Sequence, residues 1–479
     1  MRIHNVRLGF ATNSSSTHSI IFLKPGQRVG DQETSGGEFG WNFWTASSPE
    51  AKRQYVALHL YDALRWQLNE EVALAVVESW VKDFERTAPG EYSYNGQGPA
   101  GYVDHQSVYI LPRSWDGQSV DKAFFDEFMH FFMRDDVAIL GGNDNTDESH
   151  PLDDGGFVLP LERDGRAEYV ARKDDKQNYW TLFDRKSGAK IRFSFESPAS
   201  QREVTKASAP ELVDLKITDF CPYGCAFCYQ GSTHAGKHGD AGAISTAAAA
   251  LAKMKVFEVA IGGGEPTMHP KFVEILSGFR ERGVVPNFTT KNLAWLRDGS
   301  LWPKIVKLVG GFAYSVDKAE DVRKLAALLE ANDIDDDLAS VQYVMGSSSL
   351  YVLEEIVREC AHSNIRLTLL GYKTTGRGSS FKPEKYDGWL EMIEKVRKAG
   401  VYVNIGIDTA LAAESGAALD KAGICRRLYA TREGAFSMYL DAVDMKVGPS
   451  SYVSDLAMRR VKQFDDKTIL EAFGGYGAS

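Results

Sequence analysis

Cys221, Cys225 and Cys228 fall within eight residues, in the stretch CPYGCAFCYQ, although the whole chain holds only five cysteines. A disulfide framework needs pairs, and a closed structural zinc site needs four ligands. A loop with three thiols reads instead as a metal centre with one position left open. A zinc site completed by His234 or His238 is the plain alternative. Pro222 and Gly224 allow the loop to wrap tightly, so that its backbone can approach whatever the thiolates hold.

A second motif, GGGEP, spans Gly262 to Pro266 and ends the apolar run VFEVAI. Glycines permit close backbone approach, and Glu265 supplies a carboxylate that can meet an ammonium. SVD, Ser315 to Asp317, ends another apolar run. There Ser315 can be a satisfied strand-end hydroxyl, and Asp317 can cap the following helix. TTKN brings Lys291 to a strand end, either facing a carboxylate or in solvent. GYKTTGRG reads as a solvated basic loop, with Lys373 and Arg377 as candidates to face an adenosine or an anionic substrate.

The spacing C-x3-C-x2-C, with the aromatic Phe227 just before the third cysteine and GGGEP at the end of the next strand, resembles the radical S-adenosylmethionine (SAM) superfamily. The resemblance covers about residues 212–408. It implies that Cys221, Cys225 and Cys228 hold three irons of one 4Fe-4S cluster. The fourth iron would chelate the amino and carboxylate groups of SAM. Gly263, Gly264 and Glu265 would contact the methionyl amino group, and Ser315, with Asp317 beside it, would lie near the ribose or the carboxylate. The implied activity is reductive cleavage of SAM to methionine and a 5′-deoxyadenosyl radical, which abstracts hydrogen from a substrate. The implied partner is an external electron donor such as flavodoxin.

These residues need a scaffold, and the sequence from 212 onward supplies a regular one. LVDLKITDF reads as a strand running into the cysteines, ISTAAAALAKM as a helix, VFEVAIGGGEP as the next strand. The alternation continues through VPNFTT, GFAYSVD, SVQYVMG and IRLTLLGYK to VYVNIGID, with helical segments between. The strands read as nearly continuous apolar runs, as parallel strands covered on both faces should. The motifs collect at the C-terminal ends of strands, which favours a partial (β/α)6 TIM-like barrel within an α/β fold. Cys360 lies on a predicted helix and reads as structural.

Residues 409–479 resemble in outline the SPASM-like extension of peptide-modifying members, but Cys425 is the last cysteine and GPSS stands where a Pro-Cys pair is usual. One cysteine cannot hold a cluster, so the expectation is a cluster-free remnant and a single 4Fe-4S cluster per chain. Residues 1–205 read as an α+β domain of unassigned role. SPEAKRQYVALHLYDALRWQL is a helix capped by Ser48 with Pro49 in its first turn, EEVALAVVESWVKDF a second, DKAFFDEFMHFFM a third, and NYWTLFDRKSGAKIRFSFE a hairpin turning at Gly188. SPASQREVTKASAP is the linker that follows. GFATNSSSTHS reads as a turn-rich lead into the strand SIIFL. Asp104, His105 and Asp144 read as caps and turn formers, and WNFWT as core or partner surface.

Composition sets outer bounds. Hydrophobic content of 43% and charged content of 25% are ordinary for a globular chain of 479 residues. A net charge of −10 argues against broad, sequence-independent binding to duplex nucleic acid. Neither a signal-peptide pattern nor a membrane-length apolar run is present, and sparse cysteines suit a reducing compartment, so the expected location is cytoplasmic. The expectation is thus a radical SAM enzyme acting on a peptide or protein. Modification of a nucleotide or small metabolite is the alternative within that class. A non-catalytic zinc or iron–sulfur protein is the alternative outside it.

Overall fold

The computed structural model describes residues 204–335, 338–424 and 429–476, and before them segments 2–7, 17–22, 38–39, 44–65, 68–87, 98–103, 137–142, 157–160, 169–185 and 190–194 with a few single positions between. The chain forms two compact units, the larger comprising Ile3–Arg7, Arg172–Tyr179 and Arg202–Ser479.

In the smaller unit, Ser48 Oγ accepts a hydrogen bond from Ala51 N at 3.1 Å and caps the helix Pro49–Arg65. Asn69 caps Glu70–Trp80 in the same way through Val72 N. Thr17–Phe22 lies between Val137–Gly142 and Phe157–Pro160, antiparallel to both. Residues 180–183 pair with 190–193, and Gly188 takes φ +71° in the turn between them. Trp44 of WNFWT is buried against the rings of Phe39 and Tyr55, so that residue is core. Asp104, His105, Asp144, residues 9–16, most of the third predicted helix and residues 197–203 lie outside the described residues.

The larger unit alternates strand and helix: β1 (Leu212–Thr218), α1 (Ala241–Lys253), β2 (Glu258–Gly263), α2 (Phe272–Arg280), β3 (Val285–Thr290), α3 (Trp302–Leu308), β4 (Gly311–Ser315), α4 (Ala319–Ala331), β5 (Ala339–Val344), α5 (Leu350–His362), β6 (Arg366–Leu370), α6 (Trp389–Lys398), β7 (Ile405–Ile407) and α7 (Thr409–Lys421). Strands β1 to β7 are parallel neighbours in chain order. The C-terminal segment then adds β8 (Ser437–Asp441) parallel to β1, with β9 (Lys446–Gly448) and β10 (Arg459–Arg460) antiparallel beyond it, before α8 (Asp466–Gly475). Residues after 409 therefore extend the same sheet past β1, which the linear sequence does not announce.

The helices pack through single stripes. Val322, Leu325 and Leu329 of α4, and Leu353, Ile356, Val357 and Cys360 of α5, are buried at helical spacing. Cys360 is structural, as expected, and burial pushes its thiol up to about 12, so it stays protonated at neutral pH. The strands correct one expectation. They are not covered alike on both faces. Val213, Leu215 and Ile217, with Val341, Tyr343, Leu367 and Leu369, enter the aliphatic core. Their neighbours Asp214, Lys216, Ser340, Gln342, Arg366 and Thr368 point to the other face, because successive side chains alternate. That face is polar, and most of those six side chains remain half-buried.

Candidate active site

The loop that carries the cysteines is closed at its base by backbone pairing. Gly239 N donates to Ile217 O at 2.8 Å, Asp219 N to Lys237 O at 2.8 Å, and Cys221 N to Thr233 O at 2.9 Å. Cys228 N donates to Cys225 O at 3.2 Å, and Gly224 and Gly231 take φ +63° and +65°, in the left-handed region that favours glycine. The three thiols are free and half-buried.

The GGGEP segment explains its glycines by contact with this loop. Beyond the end of β2, Gly264 N donates to Thr218 O at 2.6 Å and Glu265 N to Phe220 O at 2.7 Å. A Cβ on Gly263 would lie 2.3 Å from Thr218 O, and one on Gly264 would lie 2.2 Å from Phe220 O. Any side chain there would push the cysteine loop away. Gly262 differs, because a Cβ there would meet nothing within 4 Å. The close approach expected of these glycines is thus made, at Gly263 and Gly264, to the loop's own backbone.

Glu265 is buried at 1% exposure. Its Oε1 accepts from Thr290 Oγ1 and Thr267 Oγ1, both at 2.7 Å, and from Thr267 N at 3.2 Å, while Oε2 accepts from Lys291 N at 2.8 Å. Burial raises its pKa, and these hydrogen bonds oppose the shift. A carboxylate offers about four lone-pair positions, two on each oxygen. Oε1 is therefore fully used, and Oε2 retains one.

Lys291 stands between two predicted groups. Its Nζ lies 2.5 Å from Asp317 Oδ2 and 3.6 Å from Cys225 Sγ. Asp317 therefore reaches the cysteine loop through Lys291. Ser315 closes β4 and is half-buried, and no described residue hydrogen-bonds its side chain. Of the histidines weighed as zinc ligands, His238 Nδ1 lies 2.8 Å from Thr218 Oγ1, and His234 is exposed. Among the described residues no three His, Cys, Asp or Glu side chains gather as on a single ion.

The basic loop after β6 is not solvated, and Arg377 does not face open space. Arg377 Nε donates to Cys225 O at 2.9 Å, Nη1 to Ser232 O at 2.8 Å, and its backbone N to Cys228 O at 2.9 Å. Thr375 Oγ1 adds a bond to Tyr229 O at 3.1 Å. These bonds strap the cysteine loop from a distant point in the chain, and no local signal in the sequence marks the pairing. Lys373 is half-buried and pairs with the Asp408 carboxylate at 3.1 Å.

Residues 215–326 match the Radical SAM superfamily. The match runs from β1 into α4 and so includes the cysteine loop, GGGEP, Lys291 and Asp317. No curated protein matches. Among solved structures, Streptococcus suis SuiB bound to S-adenosylmethionine is similar at 14% identity and TM-score 0.48, over 64% of this chain and 87% of that one. SuiB bound to its precursor peptide SuiA is similar at 16% identity and TM-score 0.45, over 59% and 70%. Native anSMEcpe with bound AdoMet is similar at 12% and 0.40, over 54% and 80%. Among the described residues no helix is long and apolar enough to cross a membrane.

Proposed function

We propose that the chain is a radical SAM enzyme whose loop 221–228 holds one 4Fe-4S cluster, with a peptide or protein as substrate. The observation that carries the reading is the backbone pairing of GGGEP onto a loop with three free thiols, inside the region that matches the Radical SAM superfamily. The donor set fits: three half-buried cysteines on one strapped loop can serve as thiolate ligands to iron. When bound, such a cluster supplies the electron that cleaves S-adenosylmethionine reductively.

The chain's own residues then position and exclude. Cys221, Cys225 and Cys228 ligate. Gly263 and Gly264 hold the β2 end against the loop, and Gly262 leaves open space beside it. The remaining lone pair on Glu265 Oε2 accepts from the methionyl ammonium. Lys291 sets a positive charge beside Cys225, with Asp317 as its counter-ion and Ser315 at the same rim. The peptide reading draws on the large N-terminal unit and on a C-terminal segment that rebuilds the sheet edge. An external flavodoxin-like donor supplies electrons in the cytoplasm.

The experiment is anaerobic reconstitution of the full chain. The expected product is brown, with a thiolate-to-iron band, about four irons per chain and 5′-deoxyadenosine formed from S-adenosylmethionine. Replacing Cys360 and Cys425 by alanine should leave the iron unchanged; Cys425 lies outside the described residues. Stoichiometric zinc without cleavage would overturn the reading. Iron near eight per chain that falls to four in the double variant would overturn the single cluster.

A further inference from the structure

Three motifs far apart in the sequence meet at Lys291. Its backbone N donates to Glu265 Oε2 at 2.8 Å, and its Nζ pairs with Asp317 Oδ2 at 2.5 Å. The same Nζ lies 3.6 Å from Cys225 Sγ, within reach of a hydrogen bond to sulfur. Among the described residues this is the one side-chain hydrogen bond to a sulfur of the cysteine loop. Arg377, the other cation on that loop, is directed at main-chain carbonyls instead.

The turn that carries Lys291 is locked. Thr290 Oγ1 donates to Glu265 Oε1 at 2.7 Å and accepts from Asn292 N at 2.9 Å. Asn292 Nδ2 donates to Thr267 Oγ1 at 2.9 Å. The end of β3 is thus tied to GGGEP on both sides of Lys291, and GGGEP is itself paired onto the cysteine loop through Gly264 N and Glu265 N. The ammonium is therefore held at Cys225 by a fixed backbone.

The ion pair behind it is uneven. The Lys291 side chain is 23% exposed, that of Asp317 51%. Water screens the carboxylate more than the ammonium, so Asp317 neutralises Lys291 only in part. A net positive charge is left against one of the three sulfurs.

We propose that Lys291 is a positioning residue that raises the reduction potential of the cluster through Cys225, and that Asp317 trims the effect. The inference rests on the cluster reading above and adds the residue that tunes the cluster and the direction in which it does so. On reduction one electron passes from an external donor to the cluster. A fixed positive charge beside a ligand sulfur favours the form that has gained that electron. Removing the ammonium then lowers the potential, and removing the carboxylate raises it.

The test is a redox titration of the full, reconstituted chain, followed by electron paramagnetic resonance, with dithionite as reductant and no S-adenosylmethionine. At a fixed potential, Lys291→Met should lower the ratio of reduced to oxidised cluster about tenfold, a midpoint about 59 mV lower for one electron. Lys291→Arg keeps the charge and should restore most of the ratio. Asp317→Asn should raise the ratio, by about threefold. The opposite signs separate tuning by charge from a merely structural role, because a loosened loop would move both variants the same way. Potentials that stay put, or that shift in one direction in both variants, would overturn the proposal. Iron content is measured on every sample. If Lys291→Met does not hold its iron, Asp317→Asn decides alone: a raised potential supports the proposal, an unchanged or lowered one defeats it. Iron and 5′-deoxyadenosine present with unmoved potentials defeat this inference only. Stoichiometric zinc without cleavage defeats the enzymatic reading and this inference with it.

Discussion

The two faces of the parallel sheet are built from alternate residues of the same strands, yet they serve opposite ends. Val213, Leu215 and Ile217 pack into the aliphatic core, while Asp214 and Lys216, one step along, lie on the other side, where Lys216 pairs with Asp219 and Asp441. Stability and chemistry are therefore separated by single positions along the chain. On one face a side chain matters through its volume; on the other it matters through its charge and its hydrogen bonds. Mutations one residue apart should then fail in different ways.

The largest expected effect is on chemistry alone. Changing Cys221, Cys225 and Cys228 together to alanine should abolish cluster and activity without lowering the melting temperature appreciably, because the core does not pass through the loop. A triple variant that still holds iron and forms 5′-deoxyadenosine would break the assignment. The opposite face should show the converse. Leu367 is fully buried, and Leu367→Ala should cost about 2–5 kcal/mol of unfolding free energy. S-adenosylmethionine affinity per folded molecule should be unchanged, as checked by urea titration beside calorimetry. Glu265→Gln is smaller and falls between the two faces. Losing a charge-assisted contact should weaken S-adenosylmethionine binding about ten- to a hundredfold. Since Oε2 accepts from Lys291 N, an amide turned the wrong way also strains that loop. An unchanged dissociation constant would take Glu265 out of the binding site.

The smallest effect sharpens the contrast through pH. The Asp214 carboxyl lies at about 7 in the folded chain, above its ordinary value of 3.8. The folded state thus keeps a proton that the unfolded chain releases, so its contribution to stability is full below about pH 4 and is lost as pH rises through 7. Between pH 5 and pH 8 the wild type should lose melting temperature relative to Asp214→Asn, on the order of a few degrees. Parallel curves would show that Asp214 ionises freely and is not enclosed.

Much of the site was legible because its signals are local. The cysteine spacing and GGGEP each occupy a few consecutive residues, and both fall where a strand ends. The polar face was also written in the strands, in the Asp and Lys of LVDLKIT and the Asn and Thr of VPNFTT, but reading these runs as continuously apolar hid the alternation. What could not be read was pairing at long range. Arg377 with the carbonyls of the cysteine loop, Lys373 with Asp408, and β8 with β1 join residues that share no motif. Backbone carbonyls leave no trace in a sequence, so a loop held by them looks like any basic loop.

The Arg377 strap also sets a timetable. Its side chain grips the carbonyl of Cys225, a residue made 152 positions earlier. At synthesis rates of about 5–20 residues per second, the cysteines wait on the order of 8–30 seconds for their strap to be made, and longer for it to emerge and fold. The strands that edge β1 on its far side come later still. A nascent chain therefore carries its thiols for 152 of its 479 residues of synthesis on a loop braced only by its local backbone pairing, where iron delivered early would meet ligands not yet strapped. If the loop holds the proposed cluster, its loading would belong after the ribosome has finished with the sixth strand, as a step of maturation rather than of folding.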